Sequence, residues 1–264
     1  MALLRNFVVR CCFVTNWLRT IQFVMVQDLY SRFRGSKFGI FLTLAEPVLV
    51  VLLLWLSRNY IRGRMPIVGT SAMLFYASGA LPFYLFQRIA TRARSVSLEP
   101  NRRLPRITAM DVYLAHAALE TILWVSMTIA IFFALWMYGI DQAQPANISD
   151  CIIALGLLAM MGLGFGMINS VIGRFVPLWT RLYIRFNRIL LFASGVFYIL
   201  DFLPLFLREW LVWSPLIHAV EWFRVGLYGQ YPAITLDKAY AVYSAIVLLF
   251  VGLTADRATL RLAR

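Results

Sequence analysis

Long apolar stretches alternate with arginine-rich gaps along this chain, and the alternation leaves few architectures open. About six apolar stretches recur through 264 residues, and Arg and Lys gather in alternate gaps between them. Lipid offers no partner for a backbone N–H or C=O, so a crossing segment must satisfy those groups within itself, as a helix does. Cytoplasmic loops of such proteins carry the excess of Lys and Arg. The pattern therefore reads as an orientation code, and it explains the net charge of +13 without nucleic acid as a partner.

Composition agrees. Apolar residues make up 61% and charged residues 14% of the chain, against about 45–50% and about 25% in soluble domains. Mean hydropathy is +0.75. The expectation is an all-α integral membrane protein with a single membrane domain over 1–264. Between the apolar stretches no segment is long enough for a second core, which needs roughly 50 residues. Cys11, Cys12 and Cys151 form neither a metal-ligand spacing nor a disulfide framework. Arg19 follows the short apolar run 11–18 at once, which argues against a cleavable signal peptide.

Within 1–37, Val14, Trp17, Leu18, Ile21, Val24, Met25 and Leu29 recur at helical spacing among six basic residues, including Arg32, Arg34 and Lys37. Uncharged runs there are too short to span, so the segment is expected to be an amphipathic helix at the membrane surface. Crossings are expected at 38–56, 71–87, 112–140, 151–173, 189–203 and 239–255. The first contains Glu46 and Pro47, and the proline should bend it by removing a backbone donor. The fifth is interrupted by Asp201 and Pro204. The apolar, aromatic stretch 204–236 is broken by prolines and charges and reads as two short helices that dip into the membrane without crossing.

Six crossings put both termini on one side. The termini and the gaps at 88–111 and 174–188 hold nineteen basic residues, and the remaining gaps hold six. The bias places both termini in the cytoplasm. Arg58, Arg62 and Arg64 are the exception, on the outer side.

Catalytic motifs are missing: there is no G-x-x-x-x-G-K-[ST], no H-E-x-x-H and no G-x-S-x-G. Gly162, Gly164 and Gly166 lie inside an uncharged stretch and point to close helix packing. The basic segment Leu98–Ile107 reads either as a turn that sets topology or as a short helix docking on a cytoplasmic partner. In the second reading Asn101, Arg102 and Arg103 make the contact and Leu104 is the apolar anchor, next to Pro105. Glu46 and Glu120 are intramembrane acids, expected to be paired or protonated inside the bundle. Trp210, Trp213 and Trp222, with Phe223, Tyr228 and Tyr231, form either an interfacial belt or platforms for sugar rings.

Three groups of residues carry a resemblance. The first is Arg32-Phe-Arg34, Phe38-Gly39 and Glu46-Pro47. The second is Asn101-Arg-Arg-Leu104, followed by Asp111 and Glu120. The third is Leu203-Pro204, Leu207-Arg208-Glu209-Trp210, Ser214-Pro215-Leu216 and Glu221-Trp222-Phe223-Arg224. Together the chain resembles ABC-2 type transporter permeases, in particular the membrane subunits of capsular polysaccharide exporters in Gram-negative inner membranes; Ser214 stands where that family favours Asn.

The resemblance implies a homodimer that pairs with two ATPase subunits. ATP and Mg are then bound by those partners and no cofactor by this chain, which is not itself an enzyme. It implies that residues 98–107 form a coupling helix, that 204–236 are periplasmic re-entrant helices, and that the cargo is a lipid-linked, usually acidic polysaccharide. A periplasmic adaptor of the co-polymerase type and an outer-membrane export protein would take the cargo onward. On this reading Arg32, Arg34 and Lys37 guide the anionic end of the polymer, Arg58 lies near its exit, and Trp210, Trp213 and Trp222 line that exit. The rivals are an exporter of O-antigen, teichoic acid or another ABC-2 cargo, and, more remotely, a membrane enzyme acting on lipid-linked sugars.

Overall fold

The computed structural model describes residues 17–31, 48–49, 51–53, 56, 69, 71–96, 108–176 and 178–262. Among these residues every regular element is a helix. Besides the helical residues 48–49, 51–53 and 56, they are α1 (17–31), α2 (Ala72–Ser95), α3 (Ala109–Met137), α4 (Ile148–Phe175), α5 (Trp179–Ala193), α6 (Leu205–Leu211), α7 (Pro215–Tyr228) and α8 (Lys238–Leu262). Short 3₁₀ turns occur at Asp141–Ala143 and Leu200–Phe202.

Among the described residues, three helices are long and apolar enough to cross a bilayer: α3, α4 and α8. With 28 residues, α4 is about 42 Å long. It runs between α2 and α8, and glycines set the spacing. A Cβ placed on Gly162 would stand 2.7 Å from the carbonyl oxygen of Phe86, and one on Gly166 would stand 2.6 Å from Ala93 Cβ. On another side of α4, a Cβ on Gly164 would lie 2.5 Å from the Leu248 carbonyl, and Gly252 approaches Gly164 in return. The small residues let backbones approach closely, the usual device where lipid supplies no hydrophobic drive between helices. These contacts run in register, so α2, α4 and α8 are parallel. Arg92 meets Glu120 and Tyr84 stacks on Trp124, so α3 is antiparallel to α2.

The centre of the bundle is α2. Leu74, Phe75, Ala77, Leu81, Phe83 and Ile89 have no accessible surface at all. Its length departs from expectation: the crossing expected to end at Gln87 continues as helix to Ser95. The arginines that suggested a loop have partners within the bundle. Arg88 lies 5.7 Å from the Trp124 ring centroid, Arg94 lies 4.7 Å from that of Tyr183, and Arg92 pairs with Glu120.

The stretch 174–188, expected as a basic loop, is helical from Trp179 onward. The crossing expected over 189–203 leaves helix at Ala193, ten residues early. Two causes act there. Gly195 has φ of 73°, the left-handed conformation that ends helices. In addition, the guanidinium of Arg224 donates to the carbonyls of Gly195, Val196 and Tyr198 at 2.9, 3.0 and 3.2 Å. Those carbonyls are thereby satisfied without a following helical turn.

After this break come α6 and α7, each begun by a proline that has no N–H to lose at a helix start: Pro204 caps α6 and Pro215 opens α7. Burial covers almost every side of α7, from Leu216 to Leu227. Its last turn accepts backbone hydrogen bonds from Ala146 and Asn147, which brings it against the start of α4.

Candidate functional site

The described chain stops at Val96 and resumes at Thr108, so the expected docking segment 98–107 enters and leaves between α2 and α3. The described residues on both flanks of it are held to the bundle. Thr108 caps α3 reciprocally with Asp111: Asp111 N–H donates to the threonine hydroxyl, and Thr108 N–H donates to Asp111 Oδ2 at 2.9 Å. The other carboxylate oxygen of Asp111 accepts the indole N–H of Trp17 at 2.7 Å. One side chain thus caps α3 and docks α1.

Apolar contact completes that dock. Ile21 and Val24 of α1 are buried against Val112, Leu114 and Ala115 of α3. The opposite side of α1 leaves Leu18, Phe23, Val26 and Tyr30 exposed. On the α2 side of the segment, Arg92 reaches Glu120 of α3 at 3.3 Å and Asp28 of α1 at 3.9 Å. Glu120 is 2% exposed, so this intramembrane acid is paired. Arg92 therefore ties three helices together in the last turn of α2.

A second polar knot joins the same end of the bundle. Arg174, in the last turn of α4, donates to Asp256 of α8 at 2.8 Å and to the Thr259 hydroxyl at 2.9 Å. Tyr113 of α3 donates to the same Asp256 oxygen at 3.2 Å and shares a hydrogen bond with Ser170 of α4 at 2.9 Å. The two polar knots together join α1, α2, α3, α4 and α8 around the residues that flank 98–107. The junction is a connected network rather than a single hydrogen bond, and networks of this kind are worth more than their separate pairs.

The opposite end of the bundle is held by α7. Glu221 accepts the Leu200 N–H, and Arg224, one turn later, clasps the carbonyls of 195–198. Arg224 has no accessible surface and lies 4.1 Å from the centroid of the Phe75 ring. Burial pushes the Glu221 carboxyl up to about 7, despite the Leu200 N–H and the nearby Arg224 cation, which both favour its charged form.

The three tryptophans of the expected exit are not alike. Trp210 and Trp213 are 72% and 74% exposed. Trp222 is buried; its indole N–H donates to Asp150 at 2.8 Å, and Lys238 sits 4.9 Å over its ring while reaching the same carboxylate. Trp222 pins α7 to the starts of α4 and α8, so its ring face is occupied within the chain.

Arg32, Arg34, Lys37, Glu46, Pro47, Arg58, Leu98, Asn101, Arg102, Arg103, Leu104 and Pro105 lie outside the described residues. Sequence reasoning missed the Arg174–Asp256 knot, because its members stand 82 residues apart and Asp256 sits in an apparently basic tail. It also treated Arg92 as part of a loop. The helical spacing of Arg88 and Arg92 was the available signal.

Among the described residues, three helices apolar enough to cross a bilayer, two of them packed against each other through glycines, and a proline-broken stretch before the last of them fit a polytopic membrane protein. Residues 19–228 match the family described as ABC-2 type transporter, and the chain belongs to that family. Among curated proteins it is similar to the polysialic acid transport protein KpsM of Escherichia coli, at 27% identity over 90% of this chain and 92% of that one. It is 26% identical to the capsule polysaccharide export inner-membrane protein CtrC of Neisseria meningitidis serogroup A, over 89% of each chain. It is 24% identical to the capsule polysaccharide export inner-membrane protein BexB of Haemophilus influenzae, again over 89% of each.

Proposed function

We propose that this chain is the membrane subunit of an ATP-driven exporter of a lipid-linked, acidic capsular polysaccharide across the bacterial inner membrane. Near-complete alignment with KpsM, CtrC and BexB supports the cargo class. One structural observation carries the mechanism: the two flanks of 98–107 are locked to the bundle through Arg92–Glu120 and Thr108–Asp111–Trp17. A segment held in this way transmits displacement instead of absorbing it.

The chain acts as a homodimer with two ATPase subunits, which bind ATP and Mg and perform the hydrolysis. The chain crosses the membrane six times with both termini in the cytoplasm, and the charge bias supports that orientation. The exposed apolar side of α1 lies on the membrane surface. The segment 204–236 approaches from the periplasmic side, where an adaptor and an outer-membrane export protein take over the glycan. The basic cytoplasmic face, with Arg32, Arg34 and Lys37, gathers the anionic cargo by long-range attraction. Arg58 and the exposed Trp210 and Trp213 stand near its exit.

The deciding experiment is deletion of the chain. Acidic polymer should accumulate inside the cells and vanish from their surface; unchanged surface polymer overturns the proposal. The coupling role is tested separately by Leu104→Asp combined with Arg102→Glu and Arg103→Glu. That variant should still insert but lose stimulation of the ATPase subunits, and unaltered export would refute docking at 98–107.

A further inference from the structure

Glu221 and Arg224, one turn apart on α7, are the most deeply buried charged side chains among the described residues, at 1% and 0% exposure. Each leaves one polar atom unused. Glu221 Oε1 accepts the Leu200 N–H at 3.2 Å, while Oε2 has no hydrogen-bond partner among the described residues. Arg224 donates through its terminal nitrogens to the carbonyls of Gly195, Val196 and Tyr198 and to the Tyr231 hydroxyl, while its Nε–H has no partner among them either. Side chains at i and i+3 are neighbours on a helix surface, so the unused acceptor and the unused donor belong to adjacent side chains. Burying either without a partner is costly. The export mechanism above does not use them.

We propose that Glu221 and Arg224 form a proton-sensitive latch on the break after α5. With Glu221 neutral, the guanidinium clasps the carbonyls of 195–198. When Glu221 releases its proton to water, the carboxylate draws the guanidinium onto Oε2 through Nε–H, and that stretch comes free. Three observations carry it. First, Oε1 accepts the Leu200 N–H, so the proton of neutral Glu221 belongs on Oε2, where it has no acceptor among the described residues. Once the proton leaves, Oε2 is a charged acceptor beside a charged donor. Second, the clasp closes a hinge. Helix α5 ends at Ala193, and Gly195 has φ of 73°. The guanidinium packs 4.1 Å from the Phe75 ring centroid, and a Cβ on Gly79 of the same helix would strike it and stand 3.0 Å from Val196 Cα. Gly79, the guanidinium and Val196 fill one space, so moving the guanidinium unseats Val196 from α2.

Third, burial pushes the Glu221 carboxyl up to about 7, so its proton is exchanged near neutrality. The groups around it come from every side. On α7 itself stand Arg224 and, one turn earlier, His218, whose Nδ1 accepts the Asp237 N–H. The 3₁₀ turn brings Asp201, ion-paired with Arg208 of α6 at 3.1 Å. Tyr198 follows α5 and Tyr231 follows α7. Towards α4 and α8, Asp150 and Lys238 are engaged with Trp222. Asp201 opposes ionisation of Glu221, while Arg224 and Arg208 favour it. Oε1 accepts the Leu200 N–H in either form, so the 3₁₀ turn holds while 195–198 is released. The latch is a property of the fold; only its place on the periplasmic side, where external pH reaches it, rests on the exporter reading.

The test follows site-resolved hydrogen exchange of the full-length chain in lipid nanodiscs at about pH 5.5 and about pH 8.5, corrected for the intrinsic effect of pH. In the parent, the amides of 195–199 should exchange about tenfold faster or more at the upper pH, while Leu200 and the amides of 151–173 keep their protection. Glu221→Gln retains an acceptor for the Leu200 N–H and cannot ionise, so its 195–199 amides should stay protected at both pH values. Gly79→Ala displaces the guanidinium and leaves the carboxyl, so it should expose 195–199 already at the lower pH. The infrared band of a protonated carboxyl that Glu221→Gln lacks should disappear over the interval in which 195–199 opens. The latch is overturned by pH-independent protection of 195–199 in the parent, by the same pH dependence in Glu221→Gln, by Gly79→Ala without effect, or by loss of the infrared band without faster exchange. Should Glu221→Gln lose protection over 151–173, it has not folded, and the parent's infrared and exchange curves decide alone: movement together upholds the latch and separate movement rejects it. Surface polymer in the deletion strain tests export and these curves test the latch, so either reading can fall without the other.

Discussion

The indole N–H of Trp17 donates to Asp111 Oδ1 at 2.7 Å, and the other oxygen of the same carboxylate accepts the Thr108 N–H. A helix that lies outside the central bundle is thereby fastened to the first turn of α3, just after the segment expected to meet the ATPases. Trp17→Phe keeps the ring and removes the donor. It should weaken docking of α1 by about 1.5 kcal/mol, the lower end for a hydrogen bond to a charged group. Asp111→Ala should cost roughly 1 kcal/mol more, since the helix cap is lost as well. Faster hydrogen exchange over 17–31 in both variants checks the ranking.

Helix spacing around α4 makes a paired prediction. Gly166→Val introduces a Cβ 2.6 Å from that of Ala93 and 2.7 Å from the Ala90 carbonyl oxygen, so α2 and α4 must separate. Overpacking of this kind costs about 1–3 kcal/mol. Gly156 has nothing within 4 Å of the same construction. Gly156→Ala on the same helix should be neutral or stabilise by up to about 1 kcal/mol through helix propensity. Thermal unfolding of the two purified variants separates packing from propensity.

The Arg174–Asp256 pair joins the last turn of α4 to α8, and Asp256 is only 6% exposed. Arg174→Ala leaves that carboxylate, among the described residues, with the Tyr113 hydroxyl as its side-chain donor. Breaking a buried pair from one side costs about 3–5 kcal/mol. Arg174 is a quarter exposed, so a loss of roughly 2 kcal/mol is expected. The double variant Arg174→Met with Asp256→Leu should recover much of that loss, because the lone buried charge is gone; a double-mutant cycle on melting temperature measures it.

Glu221 predicts a pH dependence with a definite sign. Its carboxyl rises from 4.5 to about 7 on folding, chiefly through burial. The folded state therefore holds the proton more tightly than the unfolded chain. The contribution to stability is complete below about 4.5 and is lost as pH rises through about 7. Glu221→Gln keeps an acceptor for the Leu200 N–H and cannot ionise. Relative to the parent it should match at pH 4.5 and be more stable at pH 8, on the order of 3 kcal/mol at most. Melting temperatures of both proteins across that range decide it, and parallel curves would remove Glu221 as the titrating group.

Trp222 should behave as a packing residue, unlike its two exposed neighbours. Trp222→Ala removes the donor to Asp150 and the ring beneath Lys238, with an expected loss of about 3–5 kcal/mol. Trp210→Ala and Trp213→Ala, at more than 70% exposure, should leave stability within about 0.5 kcal/mol of the parent. If they reduce surface polymer all the same, the loss belongs to transport.

Local hydropathy was enough to find α3, α4 and α8, because an uncharged run of bilayer length has one low-energy conformation in lipid. The glycines at 162, 164 and 166 announced close packing for the same local reason: only a missing side chain lets two backbones approach. Charge misled where it was paired. Arg88, Arg92 and Arg94 look like the end of a crossing until Trp124, Glu120 and Tyr183 come alongside, from positions the chain reaches only after turning back. The early end of α5 also belongs to tertiary structure, since Arg224 satisfies carbonyls that a continuing helix would have used. Sequence by itself determined that α3, α4 and α8 suit the membrane, because burial in lipid is additive along a helix. Tertiary structure decided which charges could remain there, because each needs a specific partner brought close by the fold.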